Sequence, residues 1–462
     1  MNLMRSIGTI TVLLLIAAVG VLSGHRVKNK TDFESGGQSA GVGIVSGIMM
    51  GTLIGGASTI GTAQLAYHYG IAACWYTIGG GLGCLTIALF YIRLYRKNQM
   101  PTLIGIIREE YGAKAGTFAS ILVCGSMFLN VIAQLFSSTA VIPTLFPGVS
   151  LPLALALAAV LMLVYVVFGG IFGAGQAGQV KTLLVYLSIA AGTAIALKNT
   201  GMCILLDQLD HAVYFNMFSR GAGDMLTNTA AVILGVVTTQ TQMQAILTGK
   251  SEQVARRGAI VSALLIPPIG FGSAIIGMFM KVNHPELLNA KDALPQFVLN
   301  YMPDLLAGAV MGTLLIAIVG SGAGIVLGIG TIMTNDMIVP VFQRPLSSKE
   351  ALRCTRGCIA LLLLVGCFLS TGALGDIILN FATMSMGLRA SIIFAPFMCA
   401  VFLPGKISSH WVIASIFCGP GLVLLFGLWK VLPFDPLFAG IGGSILCCVI
   451  GCTKETTRNE AF

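Results

Sequence analysis

Charged side chains are scarce in this 462-residue chain, at 9% of the total, where an ordinary soluble domain carries roughly 25%. So few charges could not cover the surface of a soluble protein of this size, which excludes a cytosolic enzyme. Carboxylates are missing from one place in particular. All 17 Asp and Glu fall between apolar runs or at their ends, as Asp304, Asp336 and Asp376 do, which disfavours a proton relay built on intramembrane acids. The 12 Cys include no CxxC pair, and Cys203 alone falls in an expected external loop. They read as small apolar residues rather than as disulfides or zinc ligands. GxSxG and HExxH motifs are absent as well. Gly173-Ala174-Gly175-Gln176-Ala177-Gly178 matches GxGxxG but follows an apolar run and not a strand, which removes its dinucleotide meaning. Nothing argues for an enzyme or a bound organic cofactor.

What the chain has is hydrophobicity. Apolar residues make up 56% of it, and mean hydropathy is +0.92. Runs of about 17–25 apolar residues mark membrane spans, and thirteen are expected, at 7–23, 42–64, 71–92, 118–142, 153–172, 180–197, 225–247, 259–280, 305–333, 357–372, 377–403, 411–429 and 436–450. The fold class is therefore an all-α polytopic membrane protein. The first run is either a signal peptide behind Arg5 or a retained helix. A retained helix is preferred, since no A-x-A site follows. The 57 Gly suit membrane helices packed closely on small residues.

The 26 Lys and Arg give orientation through the excess of basic residues in cytoplasmic loops. With the N-terminus outside, 19 of them fall on the cytoplasmic side, Lys181 among them, and 6 on the external side. The net charge of +9 is thus a topology signal and implies no nucleic-acid partner. The C-terminus is expected in the cytoplasm of a plasma (inner) membrane protein that works as a monomer in the lipid bilayer.

Two spans are interrupted at mid-depth by small residues. The second holds Gly51-Thr52-Leu53-Ile54-Gly55-Gly56-Ala57-Ser58 and the ninth Gly320-Ser321-Gly322-Ala323-Gly324. A broken helix exposes backbone carbonyls, which is tolerated in a bilayer where they line a cavity or bind a ligand. The alternative is helix packing, because Gly51 and Gly55, and Gly320, Gly324 and Gly328, are spaced by four.

The loops carry a resemblance. Lys28-Asn29-Lys30-Thr31-Asp32-Phe33 followed by Gly36-Gly37-Gln38-Ser39 resembles the first cytoplasmic loop of the sodium:solute symporter family. Thr102 through Glu110-Tyr111-Gly112 is similar to its second, and Tyr165 through Gly169-Gly170 to its signature before the fifth core helix. Gln244 through Ala255-Arg256-Arg257, Asp292-Ala293-Leu294-Pro295 and Thr334-Asn335-Asp336 follow in order. The resemblance covers roughly residues 25–405. It implies thirteen helices with a 5+5 inverted-repeat core of the leucine-transporter type. The divisions would be a leading helix and loop at 1–40, repeats at 41–197 and 224–403, an external loop at 198–223, and two peripheral helices with a short tail at 404–462. It also implies a secondary transporter that imports a small polar or anionic solute by alternating access, with sodium as the coupling ion. The sodium site would fall on Gly51, Ile54, Ala317, Gly320 and Ser321.

The chain departs from that pattern. Of two adjacent hydroxyl residues in the eighth core helix only Ser321 remains, the first being Gly320. The family's Thr-Asp, and a Gln three residues beyond that Asp, read here as Ala177, Gly178 and Lys181. Hard cations want five or six oxygens, so the site is weakened. Two readings of Lys181 stand open. Its stem snorkels at a cytoplasmic helix end, or its ammonium lies at the sodium site and replaces the ion, making transport proton-coupled or facilitative. Arg389, about a dozen residues into the eleventh span, either meets an anionic group of the solute or reaches carbonyls at a helix break near Gly387. Ser58, Tyr76, Thr77, Gln134 and Thr383 complete the substrate-binding candidates, Tyr76 with Trp75 also serving as a possible interface anchor. Gln240, Gln242 and Gln244 line an exit path or form an amphipathic helix end. A membrane solute sensor is the other function class, although the dozen residues after the last span leave no room for a signalling module.

Overall fold

The computed structural model describes residues 3–24, 38–98, 102–342, 347–370, 378–429 and 436–452. These residues are almost wholly helical, and two isolated bridges, Ala40 with Gly249 and Ile407 with Cys452, are the β pairing among them. In chain order the main helices are α1 (Leu3–Gly24), α2 (Val42–Leu53), α3 (Thr62–Tyr69), α4 (Trp75–Thr86), α5 (Leu103–Leu145) and α6 (Leu151–Asn199). Then follow α7 (Ala222–Val237), α8 (Gln240–Thr248), α9 (Glu252–Leu265), α10 (Pro267–Asn283), α11 (Ala293–Tyr301) and α12 (Asp304–Ile332). The last are α13 (Ser348–Ser370), α14 (Ile378–Phe402), α15 (Ser409–Trp429) and α16 (Pro436–Ile450).

Eight helices among the described residues are long and apolar enough to cross a membrane, or nine if the pair α7 and α8, bent by 47°, makes one span. Shorter apolar helices cover Leu3–Ile16, Val42–Leu53, Leu151–Val166 and Pro436–Ile450. The centre of the bundle is α12. It is apolar on every face and its best membrane window is 100% buried, as expected of a helix surrounded by others. Helix α1 lies along it. The Thr9 hydroxyl donates to Gly308 O at 2.9 Å and Arg5 pairs with Asp304 at 2.6 Å. A β-carbon on Gly8 would stand 2.3 Å from Leu305 O, and one on Gly308 2.0 Å from Arg5 O. Only glycine lets the two backbones approach so closely, so the first apolar run is a packed member of the bundle.

Two stretches differ from the sequence expectation. The segment read as a second loop, from Thr102, is helical. The Thr102 hydroxyl caps α5 by accepting from the Gly105 N–H at 2.9 Å, and the direction changes at Gly112, whose φ of 89° suits a residue without a β-carbon. The ninth span, expected to be interrupted at Gly320–Gly324, is instead the continuous helix α12, whereas the second is in two pieces as expected. α2 stops at Leu53, Ile54 is extended at φ −89°, ψ 93°, and the chain re-enters helix through a π-helical turn at Ala57–Gly61. Most of the first-loop motif, residues 25–37, lies outside the described residues.

The start of the first broken helix is stapled to the end of the second. Ala40 N–H donates to Thr248 O, and Lys250 N–H donates to Ala40 O, each at 3.0 Å.

Candidate functional site

The two ends of the first break have unsatisfied backbone groups, and side chains from three other helices meet them. Ser321, on α12, is fully buried and its hydroxyl reaches Gly51 O at 2.9 Å and Ile54 O at 3.0 Å. On the other side of the gap, Gly56 N–H donates to Gln134 Oε1 of α5 at 3.0 Å, and Gly55 N–H to Ser58 Oγ at 2.9 Å. These contacts explain the double glycine. A β-carbon on Gly55 would stand 2.4 Å from Ser321 Oγ, and one on Gly56 2.3 Å from Ser137.

Lys181, from the second half of α6, enters this cluster. Its side chain is completely buried, and Nζ donates to Gly51 O at 2.5 Å, Ser321 Oγ at 3.1 Å and Ala317 O at 3.3 Å. An ammonium has three N–H groups and no acceptor, so the three oxygens satisfy it completely. An unpaired buried charge costs several kcal/mol. Here the compensation comes from neutral oxygens and from the negative end of α2. Gly51, Ala317 and Ser321 present oxygen to one spot, Ile54 O is joined to it through the Ser321 hydroxyl, and the cation at that spot is part of the protein.

The departures from the family pattern fit each other sterically. A β-carbon on Gly320 would come within 3.2 Å of Lys181 Cδ, 3.3 Å of Nζ and 3.3 Å of Tyr165 Oη. The position that lost a hydroxyl is the position the lysine stem occupies. A β-carbon on Gly178 would stand 2.2 Å from Gly47 O, so α6 lies too close to α2 for the aspartate that the resemblance would put there. Gly175 packs the same way on Ile44, so the second and third glycines of the GxGxxG stretch serve helix packing. Lys181 is accordingly not a snorkelling cytoplasmic residue, and removing it from the loop count leaves the charge asymmetry standing.

The second break, between α7 and α8, also receives a buried cation. Arg389 of α14 is 2% exposed, and one terminal nitrogen donates to Gly235 O at 3.0 Å and Thr239 Oγ1 at 2.9 Å. Its Nε is buried with no hydrogen-bond partner. α14 runs unbroken from Ile378 to Phe402, so the carbonyls Arg389 meets belong to another helix's break, not to one near Gly387. The glutamines of α8 are neither a solvated face nor an open path. Gln242 donates to Thr52 Oγ1 at 2.9 Å and Gln244 to Thr331 Oγ1 at 3.3 Å, while Gln240 Oε1 accepts from Leu103 N–H at 3.2 Å. All three are buried. These cross-links were missed, although the run Thr238-Thr239-Gln240-Thr241-Gln242 inside an apolar span carried the signal.

The remaining candidates separate. Tyr76 and Thr383 line one small cavity of about 20 Å³ together with Leu65, Trp75, Arg220 and Asn228. It adjoins a wider cavity of about 460 Å³ that shares Arg220, Asn228, Asn380 and Thr383. Trp75 donates to Met217 O at 2.8 Å and packs on Phe218. Thr77 faces α10 instead, donating to Cys74 O at 2.9 Å with its hydroxyl against Gly270. Ser58 and Gln134 serve the first break.

The sequence model of the sodium:solute symporter family matches residues 35–409. High affinity choline transporter 1 of Homo sapiens is 22% identical over 427 residues, covering 86% of this chain and 73% of that protein. The structure of a Na+-coupled sialic acid symporter in a substrate-bound outward-open state is 16% identical and has a TM-score of 0.83, over 99% of this chain and 100% of the other. A nucleobase-cation-symport-1 family transporter in a closed conformation with bromovinylhydantoin bound is 14% identical, with a TM-score of 0.57 over 90% of this chain and 93% of the other. At these identities the two structures show a shared fold.

Proposed function

The chain belongs to the sodium:solute symporter family, and from that premise we propose that it imports a small polar or anionic solute by alternating access, with the Lys181 ammonium standing in for the coupling sodium. The observation that carries this reading is the coordination of Nζ by Gly51 O, Ala317 O and Ser321 Oγ. Those are oxygens that the family resemblance assigns to the ion. A tethered cation cannot be released down a gradient, so transport is facilitative or is coupled to the lysine's proton.

Thirteen crossings in two inverted halves are part of the same proposal. Long spans and shorter apolar helices at the expected places support it, as does the recurrence of a broken helix at the start of each half. The solute class follows from charge. Both buried cations flank the helix breaks, and the described residues include no ion pair to either. Nearby Trp75 and Tyr76 offer two aromatic faces. A quaternary ammonium, recognised by aromatic faces, would be repelled by these cations, whereas a neutral polar or anionic solute would not. Choline belongs in the test set because of the relatives named above.

Sodium coupling is the second reading, favoured by the family itself and by the sodium-coupled neighbour. The two separate in one experiment. A ligand-stabilisation screen of the purified protein in sodium and in potassium salts identifies the solute. Uptake of that solute into proteoliposomes is then measured with a sodium gradient, with a pH gradient and with neither. Uptake indifferent to sodium supports the tethered cation, and accumulation that requires a sodium gradient refutes it. Binding of a solute without any flux would indicate a sensor.

A further inference from the structure

The Lys181 arrangement has a counterpart at the second break. α7 ends at Val237, and the carbonyls of its last turn have no partner within the helix. Such an end carries about half a negative elementary charge. Arg389 donates to one of these carbonyls, Gly235 O, at 3.0 Å and to the Thr239 hydroxyl at 2.9 Å. That hydroxyl in turn donates to the same Gly235 O at 2.5 Å. At the first break Lys181 donates to Gly51 O and Ser321 Oγ, and Ser321 donates to the same Gly51 O. Each break therefore has the same three parts: a last-turn carbonyl, a hydroxyl bonded to it, and a buried cation bonded to both.

The two cations also hold equivalent places in the chain. Lys181 lies in the apolar helix Ala174–Asn199 and Arg389 in Ile378–Phe402, the last membrane helix of each expected half. Close helix approach delivers each of them. A β-carbon on Gly235 would fall 2.2 Å from Met386 Cβ, just as one on Gly178 would meet the α2 backbone. The breaks are themselves joined by Gln242 to Thr52 at 2.9 Å. Among the described residues the ion pairs lie elsewhere, at Arg5, Arg93, Arg220, Arg256 and His284, so neither cation is there to answer a carboxylate.

We infer that Arg389 is a second built-in counter-ion, a positioning residue that holds the α7–α8 break as Lys181 holds the break after α2, leaving neither broken helix in need of an inorganic cation. The inference rests on the reading of Lys181 as the stand-in ion, and goes beyond it by assigning the second half's cation to the protein's own backbone and not to a solute anion. The two bonds that one terminal nitrogen makes to the break agree with this. A solute-binding guanidinium would be expected to present its paired terminal nitrogens to the ligand, and here one of them is committed to the break.

The test is chemical rescue in the purified full-length protein, with no solute needed. Thermal unfolding is followed for the wild type, Arg389→Ala and Lys181→Ala during titration with methylguanidinium, methylammonium, sodium or potassium chloride at millimolar concentrations. Arg389→Ala is expected to be stabilised saturably by methylguanidinium, by about 1 °C or more, and not by the other three. Lys181→Ala is expected to respond to sodium or methylammonium and not to methylguanidinium, and the wild type to none. Equal responses of wild type and Arg389→Ala to methylguanidinium, or no response of Arg389→Ala to it, would overturn the assignment. If Arg389→Ala does not fold, hydrogen exchange of Arg389→Lys decides. Faster exchange confined to residues 234–241 supports the clamp, and unchanged or uniformly faster exchange overturns it. A failed rescue of Lys181→Ala beside a successful rescue of Arg389→Ala would sink the Lys181 reading alone.

Discussion

If the Lys181 ammonium stands in for sodium, replacing it by alanine should create a sodium site. In the wild type, an ion seated on Gly51 O, Ala317 O and Ser321 Oγ would share those oxygens with Nζ, 2.5 to 3.3 Å away from them. Two unit charges about 3.5 Å apart at an effective dielectric constant of about 20 repel by about 5 kcal/mol. That is between three and four powers of ten in affinity, enough to move a millimolar site out of reach. Lys181→Ala removes the repulsion and the stem, and leaves Gly51 O, Ala317 O and Ser321 Oγ around the vacated space. Water entering with the ion brings the count toward the five or six oxygens a hard cation wants. At ten times its dissociation constant, sodium would add about 1.4 kcal/mol of stability. The assay is thermal unfolding in sodium against potassium chloride at constant ionic strength. A saturable sodium-specific rise in Lys181→Ala and none in the wild type is the expected result. Saturable sodium stabilisation of the wild type would refute the reasoning, because the ammonium would then not be holding the position.

Three further outcomes follow from the geometry. Gly178→Asp, which restores the acid that the family carries, should destabilise the protein by about 1–3 kcal/mol or more, since its β-carbon meets Gly47 O at 2.2 Å; a chemical denaturation curve matching the wild type would contradict the close packing. Gln134→Leu should cost about 1–3 kcal/mol in the solute-free protein by orphaning the Gly56 N–H, whereas a pure solute contact would alter affinity and leave solute-free stability unchanged. Asp292, in the connection before α11, has its carboxyl raised above the usual range by burial, partly offset by Lys291. The folded state therefore binds its proton more tightly than the unfolded chain, so this residue's contribution falls as pH rises from below the ordinary carboxyl value through the raised one. Asp292→Asn should flatten that decline in unfolding midpoint as pH rises above the ordinary carboxyl value, and an unaltered slope would exclude Asp292 as its source.

Helix positions were legible because a bilayer demands apolar length, and that demand is local in sequence. The expected span 305–333 and the helix Asp304–Ile332 agree for this reason. The break after Leu53 was also visible in the small residues at mid-depth, but the same signal at Gly320–Gly324 belongs to close packing in the unbroken α12. The lysine was harder to place. A basic residue beside the end of an apolar run reads as a loop charge, and only its three oxygen partners, two of them more than 130 positions away, put it in the interior. The same distance hid the Arg389 contacts. Its own helix shows no break, and its acceptors are about 150 positions upstream. The glutamines were misread because a cluster of amides near a span end looks solvated until its neighbours are known. Gly178 and Gly320 stood out as departures from a pattern, but that they fit the lysine is a fact of packing and not of spacing.

The staple between Ala40 and the end of α8 limits how the molecule can move. Its two hydrogen bonds join segments some two hundred residues apart into one mechanical part, with the bridge from Gln242 to Thr52 as a second fastening. Two separately hinged half-helices would have independent freedoms and could open a leak by moving out of step. Fastened at two points, they would act as a single lever, with a tilt of one transmitted to the other. The opening and closing of such a lever is described by one coordinate, so a spectroscopic distance from either half-helix to α12 would report the state of both.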